Sequence, residues 1–260
     1  MIGLGTWQTF DIGESPLERQ ALEKVLSLFV KLGGTVIDSS PMYGRAEQVV
    51  GDLASKLQLQ DKLFFATKVW TRGKQPGIES IQRSQRRFKV KRFNLMQVHN
   101  LLDVQTHLAT LRAMKEQGLV QYIGITHYNS SAFGDVEDIL KAEPLDFLQI
   151  NYSIMERDAE KRVLPLAQER RVAVLVNRPF GGGNLFSRVT GKPLPGFAKD
   201  IGCNSWAQFF LKWIVAHSAV TCAIPATSKA THLEDNMGGG LGVLPDEKTR
   251  KQMVETVSAL

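Results

Sequence analysis

The sequence predicts an α/β protein folded as one (β/α)8 barrel (a TIM barrel) over residues 1–260. Two observations carry that expectation. Eight short apolar runs alternate with longer amphipathic stretches from one end of the chain to the other, and almost every run ends in a polar or ionisable residue. A chain of 260 residues, 43% of them hydrophobic, can bury one such core unaided, since these barrels commonly take about 250 residues.

Taken in order, the β-like runs are Ile2–Thr6, Thr35–Asp38, Leu63–Lys68, Asn94–His99, Tyr122–Thr126, Phe147–Asn151, Val172–Asn177 and Val220–Pro225. Their solid apolar character suits strands covered on both faces. Between them lie helix-period stretches: Pro16–Leu32, Ala46–Leu57, Ile78–Phe88, Val104–Glu116, Ser131–Lys141, Ala159–Glu169, Ser205–Ala216 and Thr231–Met237, with another at Asp246–Val257. Gly33-Gly34 and Gly118 stand where helices should stop. The longest break, residues 178–204, is rich in Gly and Pro and follows the seventh run. A loop of that length on the rim of a compact domain reads as a lid over a bound cofactor.

Composition narrows the function classes. Two cysteines, Cys203 and Cys222, argue against a disulfide framework, and no charged stretch followed by an apolar one opens the chain, so a cytoplasmic setting is expected. No apolar run reaches the roughly 18 residues that span a bilayer, so no membrane role is expected. The net charge of +6 suits an anionic ligand without identifying one. The densest basic run, residues 83–92, follows a helical stretch, where cations complement the negative helix end; it reads as solvated surface rather than a nucleic-acid site.

Barrel enzymes place their chemistry at the C-terminal ends of the strands. Those ends here hold Asp38, Lys68, His99, Thr126-His127, Gln149 with Asn151, Asn177-Arg178 and Ala226-Thr227. Each residue alone has an ordinary explanation: Asp38 opens a turn, Lys68 caps a strand, His99 is hydrogen-bonded in the core. Together with Tyr43 they make a definite chemistry. A phenol can protonate a developing alkoxide, an ammonium beside it eases release of that proton, a carboxylate keeps the ammonium charged, and an imidazole orients a carbonyl. Hydride would have to come from a cofactor. His99, His107, His127 and Asp38 show no metal-ligand spacing, and no metal is expected.

Seven stretches carry a resemblance: GLGTW at residues 3–7, GGTVID running directly into SSPMYGRAE at 33–47, FFATKVW at 64–70, LMQVHN at 95–100, KEQGLVQYIGITHYN at 115–129, LQINYS at 148–153 and IPATSKATHLEDN at 224–236. Together they resemble the aldo-keto reductases over nearly the whole chain. The resemblance implies reduction of an aldehyde or ketone, or the reverse, with Tyr43 as general acid, Asp38 and Lys68 tuning it and His99 orienting the substrate. It implies a nicotinamide cofactor, NADP, with NADPH preferred modestly over NADH. The residues that would hold it are Thr6, Trp7, Asp38, Thr126, His127, Gln149, Asn177, Arg178, Phe180 and Gly181 around the nicotinamide, and Ala226, Thr227, Ser228, Lys229, His232, Asp235 and Asn236 on the adenosine side. Trp7, Met42 and Trp70 would wall a pocket for a small carbonyl substrate. The chain departs from the family pattern in four places: Thr126-His127 replaces a common Ser-Asn, Asn177 stands where many members stack an aromatic ring, Ala226 and His232 stand where NADPH-specific members carry Lys and Arg, and the usual N-terminal hairpin under the barrel is expected to be missing. A monomer or weak homo-oligomer is expected, and a non-catalytic dinucleotide-binding barrel, acting as a sensor or accessory subunit, is the alternative.

Overall fold

The computed structural model describes residues 1–260. Eight parallel strands, β1 (Leu4–Gly5), β2 (Val36–Asp38), β3 (Phe64–Val69), β4 (Phe93–His99), β5 (Val120–Thr126), β6 (Phe147–Asn151), β7 (Ala173–Asn177) and β8 (Val220–Ala223), form one sheet in sequence order. Bridges Ile2↔Ala223 and Gly5↔Ala226 bring β8 back to β1 and close the barrel. The seam requires glycine, because a Cβ on Gly5 would sit 2.8 Å from the Ile224 carbonyl oxygen. β8 stops two residues earlier than expected. Pro225 has no N–H for the ladder, and its carbonyl oxygen accepts from the Gly5 N–H at 2.9 Å.

Helices α1 (Pro16–Lys31), α2 (Ala46–Lys56), α3 (Lys74–Phe88), α4 (Val104–Glu116), α5 (Phe133–Ala142), α6 (Val163–Glu169), α7 (Asn184–Val189), α8 (Trp206–Val215), α9 (Ala230–Gly238) and α10 (Glu247–Ser258) complete the chain. None is long and apolar enough to cross a membrane. The basic run closes α3, and Lys89 takes the left-handed capping conformation there. Most boundaries fall within two residues of expectation, and three stretches differ more. α3 begins a turn early, since Pro76 is tolerated within the first turn. The stretch expected to be helical from Ala159 breaks at Arg162, and α6 starts at Val163 so that Pro165 also falls in a first turn. Residues 178–204 are not structureless: they hold α7, whose Leu185 and Val189 are buried, and the rings of Phe180 and Phe186 pack against Phe210 of α8. Phe180 and Phe186 thus tie the segment expected to act as a lid to α8.

Inside the barrel the period of two sorts the strands into layers. On β3, Phe64, Ala66 and Lys68 share a face, and on β4 Leu95, Gln97 and His99 do so. Near the N-terminal ends the half-buried rings of Phe64, Tyr122 and Phe147 meet one another, with centroids 5.5–6.1 Å apart. This aromatic layer forms the floor of the barrel. Above it Val36, Ala66, Leu95, Leu175, Cys222 and Ile224 form a small apolar cluster separate from the core between sheet and helices. The polar residues lie above that, at the C-terminal mouth.

Outward-facing positions tie the helices to the sheet. Glu47 of α2 is fully buried and accepts from Thr67 Oγ1 of β3 at 2.7 Å, Ser84 Oγ of α3 at 3.1 Å and Arg87 Nη1 at 3.2 Å. Thr67 precedes Lys68, so this cluster braces the strand that presents the lysine. Glu47→Ala leaves two buried hydroxyls without their acceptor and should lower the unfolding free energy by about 2–4 kcal/mol. A urea titration reads this as a lower midpoint at unchanged slope, and a wild-type midpoint would show that the cluster stabilises nothing.

Candidate active site

Strand register brings the polar residues together. Asp38 ends β2 and pairs with Ala66, two residues before Lys68, which in turn pairs with Gln97. His99 pairs with Thr126, and Thr126 with Gln149. The Asp38 carboxylate consequently collects three donors: Lys68 Nζ on Oδ2 at 2.7 Å, and Gln149 Nε2 and Gln97 Nε2 on Oδ1 at 2.8 and 3.4 Å. Lys68 Nζ also donates to the Ser39 carbonyl oxygen at 2.6 Å. Both charged side chains are buried, 0% and 4% exposed, so their pairing and these extra bonds offset a large desolvation cost. Thr6, fully buried, donates from both its backbone N–H and its hydroxyl to the Asp38 carbonyl oxygen.

Tyr43 stands on the turn after β2, half-buried, with Lys68 Nζ 5.4 Å from its ring centroid. The sequence suggests that the ammonium eases loss of the phenolic proton. In the structure Lys68 is turned toward Asp38, and burial, followed by the Asp38 charge, pushes the Tyr43 hydroxyl well above the usual phenol range. The phenol therefore keeps its proton in this state. Burial also pulls the Lys68 ammonium below its ordinary range, against the opposing attraction of Asp38. The His99 ring lies edge-on to Tyr43 at 6.0 Å between centroids and 6.4 Å from Trp70, and its Nδ1 is 3.0 Å from Ser40 Oγ. Burial, then the positive charge of Lys68 and the nearby His127, push the imidazole down to about 3. The chemistry available is a neutral phenol and a neutral imidazole facing a common space beside a buried ion pair.

Trp7, Met42 and Trp70 are 48%, 42% and 44% exposed, which leaves apolar surface on the rim around that space. Around the mouth, Thr126 Oγ1 donates to Gln149 Oε1 at 3.1 Å, and Asn177 Nδ2 donates to the His127 carbonyl oxygen at 3.2 Å. Asn151 and Asn177 end β6 and β7 as register partners, and the Oδ1 of each is buried without a donor. Two orphaned acceptors, with the remaining N–H of Gln149, fit a primary carboxamide, which offers both N–H groups and a carbonyl oxygen. Arg178 and Phe180 are half-buried just beyond, and Gly181 is buried.

On the far side, Thr227 Oγ1 accepts from the Lys229 N–H at 3.1 Å, and no side chain caps α9, so its first-turn N–H groups are free for an anion. Ser228, Lys229 and His232 are exposed there, as is Ala226. Asp235 and Asn236 are placed differently from these. Asp235 Oδ1 accepts from Ser205 Oγ and Gln208 Nε2, both at 2.8 Å, bracing α9 against α8, and Asn236 is buried. Sequence reasoning missed Ser40, Gln97 and Glu47, and it placed Asn151 at a strand end without giving it a part in cofactor binding. Gln97 lies two residues before His99 on the same strand face, a spacing that marks it as a candidate without showing its partner, Asp38. No group of three or more His, Cys, Asp or Glu side chains is arranged to hold a metal ion.

A neutral His99 has a direct signature. Its imidazole resonances should not titrate between about pH 5 and 9, whereas an unperturbed histidine has its midpoint near 6.5. A His99 midpoint inside that interval, followed by NMR, would contradict the buried, cation-flanked environment.

A model of the Aldo/keto reductase family matches residues 1–252. Methylglyoxal reductase YeaE of Escherichia coli K12 is 26% identical over 242 residues, which cover 90% of this chain and 83% of the relative. NADH-specific methylglyoxal reductase from the same organism is 25% identical over 299 aligned residues, covering 100% and 89%. The crystal structure of an aldo-keto reductase from Klebsiella pneumoniae in complex with NADPH superposes with a TM-score of 0.81 at 22% identity, covering 98% of this chain and 90% of that one, which shows the shared fold. With the family match running over nearly the whole barrel, the chain belongs to the aldo/keto reductase family and is an oxidoreductase.

Proposed function

We propose that this chain reduces an aldehyde or ketone to an alcohol, or runs the reverse reaction, as a single catalytic domain over residues 1–260. The observation that carries this reading is the buried Asp38–Lys68 pair beneath Tyr43, with His99 facing the same space. A nicotinamide cofactor, when bound, supplies the hydride. Asn151, Asn177 and Gln149 would hold its carboxamide, and Thr227, Ser228, Lys229 and the start of α9 its phosphates. NADPH is favoured modestly over NADH because Lys229 is an exposed cation beside those N–H groups, while Ala226 and His232 leave the clamp incomplete. Relatives point both ways: one solved neighbour is a complex with NADPH, and one sequence relative is NADH-specific.

The chain's own residues divide the remaining work. Tyr43, holding its proton, donates it to the oxygen of the reacting carbonyl as negative charge develops there. Lys68 stabilises the phenolate left behind, and Asp38, with its two amide donors, keeps the lysine in place and charged. His99 orients the carbonyl. Trp7, Met42 and Trp70 offer apolar walls, and because two relatives are methylglyoxal reductases, methylglyoxal is the first small carbonyl to test.

Turnover of methylglyoxal and a panel of aldehydes and ketones, with NADPH and NADH in parallel, tests the reading. The wild type should reduce at least one of them, and Tyr43→Phe should lose about a hundredfold or more of the rate with little change in the cofactor dissociation constant. Tight cofactor binding without turnover would favour a sensor barrel, and a fully active Tyr43→Phe variant would remove Tyr43 as the proton donor.

A further inference from the structure

His99 is useful to a carbonyl oxygen only if the ring nitrogen facing the pocket carries a hydrogen. A neutral imidazole has one N–H and one bare nitrogen, and the partner on one side decides which is which. The partner here is Ser40. Its hydroxyl is fully buried and makes two contacts: Oγ accepts from the Met42 backbone N–H at 3.4 Å and lies 3.0 Å from His99 Nδ1.

Two proton arrangements are possible, and the surroundings of Ser40 separate them. If Nδ1 carried the hydrogen and donated to Ser40, the serine's own proton would have no acceptor in a buried site, and Nε2 would turn a bare lone pair toward the lone pairs of a carbonyl oxygen. If Ser40 donates to Nδ1, its hydroxyl both accepts from Met42 and gives to His99, the hydroxyl and Nδ1 are both satisfied, and the hydrogen rests on Nε2. A doubly protonated ring is disfavoured because Lys68 and burial both oppose a second positive charge.

We propose that Ser40 is a positioning residue that holds His99 in the Nε2–H tautomer, so that the ring presents a hydrogen-bond donor to the substrate carbonyl. The consequence for catalysis rests on the reductase reading; the tautomer itself does not. The six-residue segment from Asp38 to Tyr43, which supplies the carboxylate and the phenol, therefore also supplies the group that sets the polarity of the imidazole on β4. A serine two residues beyond Asp38 has this reach because the chain turns back at the strand end, with the Tyr43 N–H donating to the Ser40 carbonyl oxygen at 3.0 Å.

The test is long-range 1H–15N correlation NMR of the imidazoles, with His99 identified among the five histidines by the signals lost in His99→Gln. In the wild type, Nδ1 should resonate as the bare nitrogen and Nε2 as the protonated one. Ser40→Ala should move both nitrogens toward a mixture of tautomers and lower kcat/KM for the carbonyl substrate roughly five- to tenfold, as expected for one neutral hydrogen bond. Cofactor affinity should hold, and Ser40→Thr should restore both readouts. A protonated Nδ1 in the wild type, or an unchanged tautomer in a folded Ser40→Ala variant, overturns the assignment. A shifted tautomer with unchanged kcat/KM overturns its bearing on the reaction. If the wild type reduces no carbonyl at all, the reductase reading fails, while the spectra still decide the tautomer.

Discussion

The ion pair between Asp38 and Lys68 is the constraint on which the rest of the site depends. Two opposite charges inside a parallel barrel lose their hydration, and attraction at 2.7 Å compensates only if the remaining lone pairs and protons find partners. The structure meets that condition from several strands: Gln97 and Gln149 serve Asp38, and the Ser39 carbonyl serves Lys68. Those partners are in reach only because the register aligns β2 through β6 and the apolar layers below lift the polar residues to the mouth. Glu47, on the outside of β3, secures the same strand from the other face.

Two neutral groups follow from this arrangement. With Lys68 committed to Asp38, the phenol of Tyr43 faces burial and a nearby anion, and it keeps its proton. His99, buried beside the ammonium, stays neutral. For the proposed reduction, a loaded phenol serves better than a phenolate as a proton donor, and the lysine's influence would grow once negative charge appeared on that oxygen. The orphaned acceptors of Asn151 and Asn177 sit on the opposite side of the mouth, so groups fit to hold a carboxamide and groups fit to deliver a proton converge on one opening.

Much of this is legible in the sequence because barrel strands are short, apolar and bounded by polar ends. β6 and α4 begin and end at the residues the pattern indicates, whereas the misread elements each involve Pro or Gly. Pro76 and Pro165 look like breakers but occupy first helical turns, where the missing N–H costs little. The six-residue α7 is too short for periodicity to reveal, and three glycines at positive φ precede it. Asp38, Tyr43, Lys68 and His99 are readable because apolar strands have no packing reason to end in such residues. Ser40 and Gln97 are not, since serine and glutamine occur widely and their significance lies in register and turn geometry. The same holds for Asp235, which lies in a stretch suggestive of ligand binding yet spends its carboxylate bracing two helices.

The most direct measurement of the central claim is the carbonyl reduction rate of Asp38→Asn, with near-UV circular dichroism confirming a folded barrel. The substitution keeps the shape and removes the anion, which leaves Lys68 buried without its partner and free to lose its proton. The account predicts a folded protein whose reduction rate falls about a hundredfold or more, the scale expected when a positioned acid loses its support. A folded variant reducing carbonyls at the wild-type rate would show that the buried pair does not govern the site.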